Sequence, residues 1–265
     1  MKITCLIENL VYRGGLIAEH GLSFLIETGS HNILFDTGQT GNFALNASRL
    51  GIDIATVDAV VLSHGHYDHT GGLAKFMELN EKAAIYLKKE ALWPKFNGKK
   101  EIGFIHKNLS LHHRVKFVTD TVEIAPDIFI INGAPVINQE DTHWKYFITE
   151  SEGKLIPDSF EDEIFLSIVN EGKLSVISSC SHRGISNILR SATEKFNYPV
   201  NMIAGGFHLK DAQPEAIKPI VELFKTINPE KIGVCHCTGL VHYELLRKHF
   251  PEQTFYFHTG VMVYV

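Results

Sequence analysis

An apolar run, Ala59-Val60-Val61-Leu62, stops abruptly at Ser63 and is followed by His64-Gly65-His66-Tyr67-Asp68-His69-Thr70-Gly71-Gly72. The run reads as a buried strand, and the glycines close a tight turn after it. Three histidines and an aspartate therefore fall within six residues at the end of one strand. Imidazole nitrogens and a carboxylate suit zinc, iron or manganese. His64 and His66 are spaced to converge on one ion, and Asp68 and His69 to face a second, as two-metal hydrolytic sites require. A buried histidine on its own is usually a hydrogen-bonded core residue. Four candidate ligands between a strand and Gly-Gly are hard to explain that way.

This H-x-H-x-D-H motif resembles that of the metallo-β-lactamase superfamily. The resemblance implies an α/β fold, a four-layer αβ/βα sandwich with a metal site along one edge. Chain size fits a single domain over 1–265, and the element order reads as two pseudo-equivalent halves, about 1–135 and 136–265.

Composition agrees with one enzyme-sized unit. At 265 residues and 45% hydrophobic, the chain can bury a large core. A net charge of −5 with no basic stripe argues against nucleic acid as the main partner. The N-terminal stretch lacks the apolar core of a signal peptide, and no run approaches the roughly 18 apolar residues of a membrane span. Cys5, Cys180, Cys235 and Cys237 do not suggest a disulfide framework in a chain this long. The last three sit beside histidines, which favours ligand or supporting roles in a reducing cytoplasm.

In chain order, the pattern predicts a strand at 2–9 and a hairpin from 22–28 and 31–37 ending in Phe35-Asp36-Thr37-Gly38. Asp36 is placed either to orient ligands of the histidine loop or to cap the following turn. His20 either reaches a pocket or lies on a surface loop. A helix is expected over 41–51 on Phe43, Leu45 and Leu50, and another over 72–80, with a strand at 83–88. Trp93 to Lys100 reads as irregular, either a cationic lid for an anionic substrate or a solvated loop. Strands follow at 115–120, 127–131, 164–169 and 173–179, then a helix over 185–196. A strand at 200–204, a helix over 214–227, a strand at 232–234, a helix to His249 and a closing strand at 254–265 complete the reading.

Four strand ends carry histidines before a glycine-containing turn: at His64, His182, His208 and His236. Chance would scatter fifteen histidines more evenly.

The resemblance assigns the bridging or second-metal position to Cys180 and the last ligand histidine to His236. A further histidine expected before the strand of Cys180 is absent, since Pro157 to Glu163 contains none. Its replacement would be a carboxylate from 158–163, His182, or His208. His182 shares an extended face with Cys180 and is the first choice. His208 is read as ligand or substrate contact, with a plain backbone hydrogen bond as the alternative. The wider set (Glu19 to Ser23, Phe35 to Gly38, His64 to Gly72, Cys180 to His182, Gly205 to Leu209, Cys235 to Gly239) is similar to one subgroup. That subgroup includes archaeal dihydropteroate-synthase-like proteins that join a dihydropterin to an aminobenzene compound.

The expected function is a hydrolase of an ester, phosphoester or amide in a small, anionic molecule. One or two divalent transition ions, zinc first and iron or manganese next, would lower the pKa of a bound water from 15.7 to about 7. Asp68 would also orient the nucleophile, while His208 or His20 protonates a leaving group or grips an anion. The alternative is a transferase that couples a dihydropterin pyrophosphate to an aminobenzene compound, with the metals as Lewis acids. A purely structural metal site fits less well, because such cages close with four ligands and this chain offers more.

Overall fold

The computed structural model of the protein describes residues 1–106, 109 and 112–265, which fall into two compact units. Unit one takes Met1–Thr119, Lys145–Asp162 and His258–Tyr264; unit two takes Asp120–Trp144, Glu163–Phe257 and Val265. The expected α/β class is what folds.

In unit one, a seven-stranded sheet has the order β18 (Met262–Tyr264), β1 (Lys2–Ile7), β2 (Ser23–Glu27), β3 (Asn32–Phe35), β4 (Ala59–Val61), β5 (Ala84–Leu87), β8 (Val115–Phe117). β18, β1, β2 and β3 pair antiparallel, whereas β3, β4, β5 and β8 run parallel. Strands this hydrophobic need both faces covered. Helices α1 (Asn42–Arg49) and α3 (Leu73–Leu79) supply Phe43, Ala47, Leu73 and Phe76 to a core with Leu34, Val60 and Ile85. Leu45, expected on that apolar face, is instead exposed, and Ala44 takes the buried position.

Unit one also holds a four-stranded antiparallel sheet, β12 (Lys154–Pro157), β11 (Phe147–Ser151), β6 (Lys95–Asn97), β7 (Lys100–Glu101). This corrects the irregular reading of 93–100: Trp93 to Lys100 is neither lid nor loop but mostly a hairpin. It orders because Phe147, Ile148 and Thr149 pair with Asn97, Phe96 and Lys95 from fifty residues away in sequence.

In unit two, seven strands have the order β17 (Thr254–Tyr256), β16 (Lys231–Val234), β15 (Val200–Gly205), β14 (Lys173–Ser178), β13 (Phe165–Asn170), β10 (Ile128–Ile131), β9 (Val122–Ala125). β14 to β17 run parallel, so β14, β15 and β16 end side by side. Helices α4 (Ile185–Phe196), α5 (Lys218–Ile227) and α6 (Leu240–His249) give Ile188, Leu189, Ile220, Phe224 and Leu246 to a core with Val176, Ile203 and Val234.

Two further expectations change. The strand expected near 115–120 ends at Phe117 and adds to the first sheet beside β5. The single closing strand is two strands: β17 pairs with β16, and β18 pairs with β1. Pro251 to Phe257 and the last residues share a β pattern that alternation alone does not divide. No helix among the described residues is long and apolar enough to cross a membrane.

Candidate functional site

In unit one, β3 and β4 run parallel and deliver Asp36 and Ser63 side by side. Asp36 is fully buried and adopts the left-handed conformation at φ 60°. Its Oδ1 accepts the Ser63 amide at 2.7 Å, and its Oδ2 accepts the Ser63 hydroxyl at 2.7 Å. The same Oδ2 lies 2.9 Å from His69 Nδ1, so that nitrogen carries the proton. The Ser63 hydroxyl, having spent its hydrogen on Asp36, can only accept from His64 Nδ1 at 2.8 Å. One carboxylate thereby sets the tautomer of two imidazoles and leaves both Nε2 atoms as lone-pair donors.

The His64 ring packs edge-on against His66 and tilted against His69, 4.6 Å and 4.4 Å away between ring centroids. Burial, with the neighbouring imidazoles, pushes His64 well below the usual histidine range. Burial pushes His66 down to about 3 against the pull of Asp68. Both rings are neutral at physiological pH, the form that binds a metal without first losing a proton. Asp68 Oδ2 sits 3.1 Å from His20 Nε2 and 3.7 Å from His69 Nε2. Thus His20, Asp36, His64, His66, Asp68 and His69 gather within this unit. Phe147 and Phe160 stand 5.3 Å from the His66 ring and form an apolar wall.

The loop is braced by a feature the sequence did not disclose. Lys95, from the stretch read as a cationic lid or a solvated loop, is only 1% exposed. Its Nζ lies 2.7 Å from Asp158 and 3.0 Å from Asp162, and Asp162 also accepts the Gly65 amide at 2.7 Å. Burial alone would push the ammonium down, but the two carboxylates hold it above its ordinary range. Gly65 must be glycine here, since a Cβ would stand 2.1 Å from the Ala91 carbonyl oxygen. On sequence the acids of 158–163 are candidate metal ligands, and nothing there marks Lys95 as their partner.

In unit two, the ends of β14, β15 and β16 carry Cys180, His208 and His236. Ser181, His208 and His236 all have positive φ, between 50° and 55°. Donor atoms of Cys180, His182 and His208 lie within 4.8 Å of one another, as do those of Cys180, His236 and Cys237. His182 and His208 rings are 4.2 Å apart. Glu163 accepts the backbone amides of His182 at 2.6 Å and Arg183 at 2.9 Å, fixing the segment after Cys180. His182 Nδ1 lies 3.2 Å from the His143 carbonyl oxygen.

The acids of 158–163 are thus engaged: Asp158 and Asp162 with Lys95, Glu163 with two amides, Glu161 with the Ser159 hydroxyl at 3.1 Å. Cys237 was named in the sequence only as a neighbour of His236. Burial pushes its thiol up, but the Cys180 hydrogen bond and the positive potential of His236 and His208 hold it well below the usual range. All four cysteines are buried and none is in a disulfide.

Asp36→Ala should weaken metal binding by about 10- to 100-fold, because the freed imidazoles lose their fixed tautomer. Competition against a chromophoric chelator measures this. Unchanged affinity would show that the orientation comes from elsewhere.

The family model for the metallo-beta-lactamase superfamily matches residues 16–156. A protein of Methanocaldococcus jannaschii named 7,8-dihydropterin-6-methyl-4-(beta-D-ribofuranosyl)-aminobenzene-5'-phosphate synthase is 32% identical over 99% of this chain and 96% of its own length. The solved structure of Tm1679, described as a metal-dependent hydrolase of the beta-lactamase superfamily, superposes with a TM-score of 0.90 at 34% identity, covering 100% of this chain and 99% of that one. Zinc-bound PqqB from Methylobacterium extorquens shares the fold at a TM-score of 0.61 and 11% identity, with 100% of both chains covered.

Proposed function

The chain belongs to the metallo-β-lactamase superfamily, and from that premise we propose that it is a metal-dependent hydrolase of an ester, phosphoester or amide in a small anionic molecule. The observation that carries this reading is the double hold of Asp36 on His64 and His69 beside Asp68. A core histidine needs no such fixed tautomer; a ligand does.

His64, His66, Asp68 and His69 are the proposed ligand group of unit one, and Cys180, His182 and His236 that of unit two, each taken by itself. Buried neutral imidazoles, a carboxylate and a thiol suit zinc first, and iron or manganese next. Ions held there would polarise a carbonyl or phosphoryl oxygen and lower the pKa of bound water to about 7.

The protein's own groups do the rest. Asp68 orients the attacking oxygen, and His20 at 3.1 Å holds that carboxylate in place. His208 offers a proton to a departing group or a hydrogen bond to an anion. Phe147 and Phe160 keep bulk water from His66. Four buried cysteines outside any disulfide fit a reducing cytoplasm.

Chelation should abolish turnover of a phosphoester panel, and one added divalent ion should restore it. Full activity in the chelated protein would end this reading.

The name of the Methanocaldococcus relative favours a second reading. There the same donors would hold ions that act as Lewis acids on the pyrophosphate of a dihydropterin while an aminobenzene compound displaces it. Incubation with dihydropterin pyrophosphate and p-aminobenzoate, read by mass spectrometry, separates the two. A coupled adduct selects the transferase; hydrolysis without adduct selects the hydrolase.

A further inference from the structure

Cys237 has no place in the ligand set above, yet its surroundings are those of a ligand. The parallel ends of β14 and β16 bring its Sγ to 3.3 Å from Cys180 Sγ. The intervening turn after β15 sends the His208 amide to 3.3 Å from the same sulfur. Gly206 makes the approach possible, because a Cβ there would stand 2.5 Å from Cys237 Sγ.

These spacings suit chelation. With bonds of about 2.3 Å to sulfur and 2.0–2.1 Å to nitrogen, tetrahedral donors lie roughly 3.3–3.8 Å apart. The two sulfurs, at 3.3 Å, stand within about 0.5 Å of the roughly 3.8 Å that two such sulfur bonds set, and the imidazole nitrogens of His182, His208 and His236 fall within 4.8 Å of one or both. Cys5 supplies the contrast within the same molecule. It is equally buried, but its thiol donates to the Ile7 carbonyl oxygen at 3.7 Å and has the Glu8 carboxyl as its charged neighbour.

We propose that Cys237 is a direct metal ligand alongside Cys180, so that the ion on unit two sits between two sulfurs and imidazoles drawn from His182, His208 and His236. This rests on the reading of the protein as a metal enzyme and narrows it. Two sulfur donors select a thiophilic ion, zinc or ferrous iron, against magnesium or manganese.

The test uses cobalt(II) added to the purified full chain. Thiolate-to-cobalt charge-transfer absorption should appear, and Cys237→Ser should reduce it to about half while weakening cobalt binding at least about tenfold. Cys5→Ser should leave both unchanged. Undiminished absorption in the Cys237→Ser protein overturns the proposal. Should that variant fail to fold, X-ray absorption of the zinc-loaded wild type counts sulfur neighbours directly. Two sulfurs at about 2.3 Å support it. One sulfur overturns it while leaving the hydrolase reading intact. A Cys180–Cys237 disulfide in the metal-bearing protein also overturns it. Absence of any bound ion at all overturns this proposal and the hydrolase reading together.

Discussion

Replacing Lys95 by methionine should destabilise the protein by about 3–5 kcal/mol, the usual consequence of breaking a buried ion pair from one side. Methionine fills nearly the same space, so the loss is electrostatic rather than a cavity. It leaves Asp158 and Asp162 buried without their cation, at 2% and 0% exposure. Asp162 cannot simply turn away, because it also accepts the Gly65 amide inside the histidine loop. Urea unfolding at neutral pH measures the loss. Adding Asp158→Asn and Asp162→Asn to the same chain should recover much of it, since a buried triad is often replaceable by neutral groups. A loss under about 1 kcal/mol in the single variant would show that the carboxylates find protons or water at little cost. The triad would then not be what braces the loop.

His66→Ala and Asp68→Ala should each lower activity by at least about a thousandfold, some 4 kcal/mol in the barrier, while leaving the fold intact. His66 lies on the loop after β4 and Asp68 in the one-turn helix Tyr67–Thr70 that follows, and neither belongs to the hydrophobic core of its unit. Removing a ligand there takes away the charge that chemistry needs without opening a cavity among Leu34, Val60 and Phe76. Thermal unfolding of the metal-free variants should fall within a few degrees of metal-free wild type. If either variant failed to fold while metal-free wild type folded well, these residues would be structural and the site assignment wrong.

Much of the architecture was legible because it is written in local patterns. The 185–196 helix is bounded by Gly184 and Asn197, and its apolar face repeats at helical spacing. The strand of Val60 and Val61 ends where polar ligands begin. What escaped were features made by residues far apart in sequence. Lys95 looked like solvent-facing charge, since a lone lysine usually is, and only the folded chain supplies Asp158 and Asp162. The β11–β12 hairpin carries a lysine, a proline and glutamates, so alternation was faint until β6 paired with it. Glu163 was one acid among four, and nothing in the sequence distinguishes the one that holds two backbone amides. Cys237 was visible as a letter in Cys-His-Cys, but its distance to Cys180 follows from strand order alone.

Asp36, Ser181, His208 and His236 each hold a left-handed backbone conformation that only glycine adopts freely. Each such residue costs the chain on the order of 1–2 kcal/mol. Directed evolution for heat resistance alone would therefore find easy gains at these four positions by drifting to glycine or asparagine. Gains at Asp36, His208 and His236 would remove a donor or the group that aims one, and a glycine at Ser181 would remove the hydroxyl that donates to the Gly206 carbonyl oxygen. Libraries built from this chain need a selection that reads ion retention or turnover alongside melting, or their most robust members will be inert scaffolds.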